Sequence, residues 1–430
     1  MVKNKNIYLI PFLGFMAIIL VGWIVLMLPV CHNGNISIFD AFFTSVSATC
    51  VNGLTTVNLS QEYTFLGQVF IAIITEIGAI GFVTSLSFIL NLKRKKMTLS
   101  ETLLLSSALN DNHYGKLKER LKKVIKYTLV IELIGSIFLS IAFVPMFGIK
   151  QGIWYSIFHS ITAFCNAGFD LLGTPGFTIF SNNIYVNMVV ITLMVLGGVG
   201  FFVIEDVIRC LKKKSFIHLE FHTKIVLVTT GILYLVSILV IKISEPNLTL
   251  MQVLFTSATS RTTGFSTINM ESTNTMTKMI ISLLMMIGGA PSSTSGGIRI
   301  TSIAILVLTV HTTLRNKKEV TAFYKKIDMQ TIKQAITNIF ISSVIVIIAV
   351  MLFVKVQDIG LAKTLFMCVS AFSATGLTVV DVGSLAFVSK WILILLMYIG
   401  RVGPISILSI FLFNKKENKN IEYVSGNVML

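Results

Sequence analysis

Eight apolar stretches constrain this chain more than any other feature. They run at roughly 7 to 30, 64 to 92, 121 to 145, 183 to 211, 222 to 243, 275 to 314, 331 to 356 and 386 to 413. Each reaches the roughly 20 residues that cross a bilayer core. A chain of 430 residues could hold two or three soluble domains. Here 54% of residues are apolar and 13% charged, against about 25% charged in globular proteins, and the mean hydropathy is +0.84. So few charges cannot cover a soluble surface of that size. The expected fold class is an all-α polytopic membrane protein. Lys3 and Lys5 precede the first stretch as they would a signal peptide. It is too long for an h-region, and no small-residue cleavage site follows Pro29, so it reads as a retained helix. Five Cys do not make a disulfide scaffold, and 31 Phe exclude a disordered chain.

The net charge of +16 admits two readings, nucleic-acid binding or the positive-inside rule. Distribution decides. The N-terminus, the segments 93–126, 209–224 and 315–333, and the tail carry 26 of the 35 basic residues. All five regions fall on one side if the chain crosses twice between them. That places both termini in the cytoplasm and leaves nucleic-acid binding without support, since no aromatic-basic interleaving or zinc spacing accompanies the charge.

Four segments remain on the other side, and they repeat. Aligned on Gly53, Gly168 and Gly376, each has Phe ten residues before the glycine (Phe43, Phe158, Phe366), Ser or Thr six before and Ala five before. The segment of Gly264 has Phe255 one residue closer, so its alignment slips by one upstream of the glycine. Leu or Phe follows every glycine. About 11 helical residues precede each, roughly 16 Å or half a bilayer. Such a stretch must enter and return, which is tolerated only where irregular backbone is buried in protein or faces water. The predicted unit is helix, half-helix, glycine loop, helix. Four such repeats in one orientation arrange around a pseudo-fourfold central pore along the membrane normal. The expected repeats are 7–92, 121–211, 222–314 and 331–413, with a basic cytoplasmic linker at 93–120 and a cytoplasmic tail at 414–430.

Such a ring can present backbone carbonyls to an ion in place of its hydration shell. Gly permits the positive φ that turns carbonyls inward. Half-helix C-termini aimed at the axis carry partial negative charge and favour a cation. The candidate filter residues are Cys50, Val51, Asn52 and Gly53; Cys165, Asn166, Ala167 and Gly168; Arg261, Thr262, Thr263 and Gly264; and Ser373, Ala374, Thr375 and Gly376.

The sixth stretch is too long for one straight crossing. It is interrupted by Gly288, Gly289, Ala290, Pro291, Ser292, Ser293, Thr294, Ser295, Gly296 and Gly297. A kink needs only Pro291; ten small, polar or helix-breaking residues suit a flexible intramembrane loop that obstructs the path below the filter. Arg401 lies inside the eighth stretch, where a charge is costly. It reads as an electrostatic barrier below the filter or as a holder of the gating loop, with a structural ion pair to Glu76 or Glu132 as the bland alternative. Arg261 is expected to anchor the third loop, through Asp170. His159 reads as packing or outer polarity, Arg299 as a snorkelling end to the gating loop, and Cys50 and Cys165 as filter packing. Gly197-Gly-Val-Gly200 lies in an apolar stretch and is no nucleotide loop, and no hydrolase or zinc motif is present. The chain reads as a non-enzyme. The competing function is an alternating-access carrier with a midplane site. A non-conducting scaffold would leave four intact loops without use.

On the four glycine motifs the chain resembles the Trk/Ktr/HKT superfamily of potassium transporters, closest to the Ktr-type membrane subunit, over residues about 7 to 413. The resemblance implies one filter glycine per repeat, with Gly rather than Ser in the first going with potassium preference. Asn52 departs from the family pattern, which has Thr there. The resemblance further implies potassium as the transported ion, a gating loop in the second helix of the third repeat and an Arg at the position of Arg401. It also implies a homodimer in the plasma membrane, no cofactor in this chain, and a cytosolic ring-forming partner that binds the nucleotide. Sodium stimulates transport in many Ktr systems and is a candidate stimulator here.

Overall fold

The computed structural model describes residues 6–34, 36–81, 117–173 and 176–412. Residues 93–116 of the basic linker expected at 93–120, the tail at 414–430, Lys3 and Lys5 lie outside these residues, as does the end of the second stretch after 81; residues 117–120 are already helical.

The first helix of each repeat is a single unbroken span: α1 (Asn6–Leu26), α5 (Leu117–Phe147), α9 (Phe221–Ser244) and α13 (Met329–Val356). All four are apolar enough to cross a membrane, and their flanks expose Leu, Ile, Val and Phe as a lipid-facing surface requires. Each is followed by a half-helix: α2 (Ile38–Cys50), α6 (Ile149–Phe164), α10 (Leu250–Thr259) and α14 (Leu361–Ser373). These have 13, 16, 10 and 13 residues and are too short to cross, as the repeat pattern predicts. Ser37 caps the first through the Asp40 amide (3.0 Å), and Thr249 with Gln252 forms a capping box on the third.

The second helix is interrupted in the second, third and fourth repeats, which differs from the expectation of a break in the sixth stretch alone. The fourth stretch divides into α7 (Ile184–Val199) and α8 (Phe201–Lys212), bent by 103°. The eighth divides into α15 (Phe387–Val402) and α16 (Pro404–Leu412), bent by 92°. The sixth is α11 (Thr275–Met286) and α12 (Ile300–Leu314), joined by the irregular segment 287–299. In the first repeat the one-turn helix α3 (Leu59–Glu62) precedes α4 (Phe65–Ile80), which ends at Gly81. The cause is common to three repeats: Gly81, Gly200 and Gly403 terminate their helices at φ +92°, +93° and +96°, a conformation an α-helix cannot carry through.

The core runs between half-helices and spans. One cluster joins Phe43, Phe366, Phe372 and Met397 of the first and fourth repeats, and another joins Phe164, Phe177, Phe255 and Phe265 of the second and third. Phe43, Phe158, Phe255 and Phe366 are all fully buried, so the aromatic that marks each repeat is the wedge that seats its half-helix. The described basic segments share one end of the molecule. Lys123 bonds Glu205 at 2.7 Å, and Lys325 lies 6.0 Å over the Phe221 ring.

Candidate functional site

The four glycines close into a ring. A Cβ added to Gly53 would overlap the carbonyl oxygen of Ala167; one on Gly168 would meet Thr263, one on Gly264 would meet Thr375, and one on Gly376 would meet Asn52. Each glycine thus lies flat against the residue that precedes the next glycine, and the fourth returns to the first. All four have positive φ, from +67° to +96°. Leu54, Phe169, Phe265 and Leu377 behind them are fully buried and pin the loops from outside.

A second left-handed residue stands two positions before each glycine: Val51 (φ 58°), Asn166 (58°), Thr262 (99°) and Ala374 (55°). Non-glycine residues adopt this region at a cost, and four equivalent cases mark an imposed loop shape. The residue before each glycine donates its amide back to the half-helix: Asn52 to Ser47 O (2.9 Å), Ala167 to Thr162 O (2.8 Å) and Thr375 to Ser370 O (3.0 Å). In the third repeat Thr263 donates to Thr259 O (3.1 Å), one residue closer. The hydroxyls repeat the shift, with Ser47 Oγ accepting from Gly53 N–H and Thr259 Oγ1 from Gly264 N–H, both at 3.1 Å. The slip upstream of Gly264 is therefore a residue removed from the half-helix, and the ring itself is unshifted.

The Asn52 side chain turns away from its own loop and donates to Ala371 O (2.9 Å) and Ser370 O (3.2 Å) of the neighbouring half-helix. It sutures the first repeat to the fourth. Asn52→Thr, which restores the family residue, should keep the ring and lose this suture. The expected cost of about 1 kcal/mol would be read as a lowered thermal midpoint of the purified protein; an unchanged midpoint would discount the suture. Asn166 plays a comparable part between the second and third repeats, its carboxamide lying 2.7 Å from Thr263 Oγ1 and 2.9 Å from Thr294 Oγ1.

The segment 287–299 lies directly against this ring. Thr262 Oγ1 donates to Ser295 Oγ at 2.6 Å, and a Cβ on Gly296 would come within 3.0 Å of Ser373 O. Ala290, Thr294 and Ser295 are buried. Broken helices explain how an irregular segment survives there. The bend at Gly200 frees the carbonyls of Gly197 and Gly198, which accept from Thr294 N–H (3.4 Å) and Ala290 N–H (3.0 Å). Phe201 N–H, at the start of the next helix, returns a bond to Ser292 O (3.1 Å). Gly288 N–H to Ile298 O (2.8 Å) and Ile300 N–H to Gly289 O (3.0 Å) close the loop at its base.

Arg401 completes the arrangement. It donates to Thr294 O of the loop and to Gly78 O (2.5 Å) and Ala79 O (3.1 Å) at the open end of α4. Its partners are backbone carbonyls, so the alternative of an ion pair with Glu76 or Glu132 is set aside. Arg299 does not snorkel; its Nη1 donates back to Ala290 O (3.2 Å) and Ser295 O (3.4 Å). Arg261 is not held by Asp170 but lies 4.8 Å over the Tyr234 ring of α9, a cation–π contact. Asp170 belongs to His159: Nε2 is 3.1 Å from Oδ1, while Nδ1 faces Tyr155 O at 2.7 Å. His159 is therefore more than packing, since it braces the irregular segment that leaves the second filter glycine, through Asp170 and the Leu171 amide. The Cys165 thiol donates to Glu76 Oε2 (3.1 Å) with Glu132 Oε1 at 3.7 Å.

Sequence reasoning assigned no role to Gly78, Gly197 or Gly400. A Cβ there would strike the carbonyls of Thr49, Phe164 and Phe372 at the half-helix ends. The signal was present as a second repeat, Gly78-Ala-Ile-Gly81, Gly197-Gly-Val-Gly200 and Gly400-Arg-Val-Gly403. The first glycine admits the half-helix and the second ends its helix as the C-cap. In the third repeat the pair is Gly288 and Pro291, and there the break widens into the loop.

Known proteins match the chain over nearly its whole length. It is 34% identical to Ktr system potassium uptake protein B of Bacillus subtilis, covering 97% of this chain and 95% of that one. It is 33% identical to the protein of the same name from Vibrio alginolyticus (97% and 93%) and 33% identical to the potassium/sodium uptake protein NtpJ of Enterococcus hirae (97% and 95%). The fold matches the potassium transporter TrkH from Vibrio parahaemolyticus with a TM-score of 0.76, covering 96% of this chain and 85% of that one, at 17% identity. Residues 15–423 fit the family described as TrkH, cation transport protein. The chain is an integral membrane protein and belongs to the TrkH cation transport family, a family of ion transporters and not of enzymes.

Proposed function

We propose that this protein takes up potassium across the plasma membrane through a selectivity filter built from the loops of Gly53, Gly168, Gly264 and Gly376. The observation that carries this reading is the closed ring, in which each glycine abuts the residue before the next. Eight residues with positive φ, two in each loop, support a shape that directs carbonyls to the axis. The half-helices end at the ring and favour a cation there. A cytoplasm-negative potential contributes about 2.3 kcal/mol per charge per 100 mV inward. Segment 288–297 is the gate and Arg401 its latch. Both termini are cytoplasmic. The membrane subunit works as a homodimer and carries no cofactor; a cytosolic ring-forming partner binds nucleotide and acts on the gate.

Labelled rubidium uptake into sealed vesicles holding the purified chain, with sodium as competitor, tests the reading. Fast flux of rubidium and potassium over sodium is expected. Saturating flux strictly coupled to a sodium or proton gradient would favour the alternating-access carrier instead.

A further inference from the structure

Two turns at the basic end expose apolar side chains. The first, Phe216–His218, links α8 to α9, and its Phe216 and Ile217 are 56% and 83% exposed. The second is a two-stranded hairpin between α12 and α13, with Thr321 opposite Lys326 and Ala322 opposite Lys325. Its turn residues are Phe323 and Tyr324, at φ 46° and 61°. Positive φ at both positions is the type I′ form of a two-residue hairpin turn, commonly met by Asn-Gly. Here two aromatics hold it, and Tyr324 is fully exposed. The base is fixed: Ile327 N–H donates to Val320 O at 2.9 Å, and Ile327 packs with Ile305, Ile332 and Ala335. The tip is held out on a rigid stem at conformational cost.

The surroundings say what the tip meets. Lys212, Lys213, Lys214, Arg315, Lys317, Lys318, Lys325 and Lys326 are all exposed. Two nearby carboxylates are already engaged, Glu220 by Arg209 (3.2 Å) and Glu319 by Lys326. Lys325 lies over Phe221, the first residue of α9, so the hairpin adjoins the helix that the Phe216–His218 turn leads into. Leu314 and Met329, where the hairpin leaves and rejoins its helices, are 80% and 60% exposed, so the hairpin emerges where lipid-facing surface ends. Aromatic tips beside lysines at that depth match the headgroup layer of an anionic leaflet in both charge and polarity.

We propose that the Phe216–Ile217 turn and the Phe323–Tyr324 hairpin form one docking surface for anionic phospholipid, with the apolar tips in the headgroup–acyl boundary and the lysines on the phosphates. The hairpin follows α12, whose first residue, Ile300, adjoins segment 287–299, so lipid held here bears on that segment through one helix. The five native cysteines are buried, so Tyr324→Cys and Ile217→Cys can each carry a nitroxide in the full chain. Collision with oxygen is compared with collision with an aqueous nickel chelate in vesicles of phosphatidylcholine with and without phosphatidylglycerol. Ser272→Cys, in an exposed loop beyond the half-helix of the third repeat, is the aqueous control. The oxygen-to-nickel ratio at 217 and 324 should rise several-fold with phosphatidylglycerol, and the double change Lys325→Glu, Lys326→Glu should reverse the rise at 324. Labels that stay aqueous in both vesicles overturn the proposal. So does shielding from nickel that appears only on adding cytosolic protein, which would assign the surface to a protein partner. Neither result bears on the filter, because no flux is measured.

Discussion

Gly376→Ala should abolish rubidium uptake while leaving the protein folded. The added methyl has nowhere to go, since it overlaps the carbonyl oxygen of Asn52, and the residue already sits at φ +81°. Holding a non-glycine residue in such a region costs about 1–3 kcal/mol, before any displacement of the neighbouring loop. At about 1.4 kcal/mol per factor of ten, the strain and the distorted axis together should lower the uptake rate by about a hundredfold or more. The ring geometry makes the prediction cyclic: Gly53→Ala, Gly168→Ala and Gly264→Ala each push on the next repeat and should do the same. Gly231→Ala is the matched control. Gly231 lies within α9 with nothing near its added Cβ, and alanine favours the helix. Uptake in that variant should be unchanged. Equal loss in both variants would mean that the ring is not the path.

Arg401→Ala should raise uptake, and deletion of residues 289–296 should raise it further. Arg401 spans two elements, the Thr294 carbonyl of the loop and the Gly78 and Ala79 carbonyls of α4. A hydrogen bond to a charged group contributes about 1.5–3 kcal/mol. Losing the one to Thr294 should favour release of the loop by about tenfold or more. The loop keeps its backbone bonds to the second repeat, so Arg401→Ala alone should open it in part. Deletion removes the bonds to Gly198 and Gly197 as well as the contact of Ser295 with Thr262. Flux that stays unchanged in a deleted protein that elutes and melts as a folded species would sink the gating assignment.

The ring could be read in the sequence because its parts repeat. Phe43, Phe158 and Phe366 stand at one distance from their glycines, and a half-helix too short to cross leaves few geometries in a bilayer. The slip at Phe255 was visible as a count; only the amide of Thr263 returning to Thr259 shows that the half-helix lost the residue. The bends at Gly200 and Gly403 stayed hidden in apolar runs, because hydropathy reports the surroundings of a segment and not its direction. The destinations of Arg401 and Arg299 were hidden for a related reason. Both arginines end on backbone carbonyls, which neither an ion pair of Arg401 with Glu76 or Glu132 nor a snorkelling Arg299 anticipates. Asn52 looked like a departure in the filter. Its side chain faces the neighbouring half-helix, so its type says more about how the first and fourth repeats are joined than about the axis.

The most direct test of the four-loop path is a structure of the purified protein with thallium or rubidium, recorded at an anomalous edge, on a preparation whose uptake has been measured. The account predicts anomalous density on the axis enclosed by Gly53, Gly168, Gly264 and Gly376. Density confined to another site in protein that takes up rubidium would contradict it.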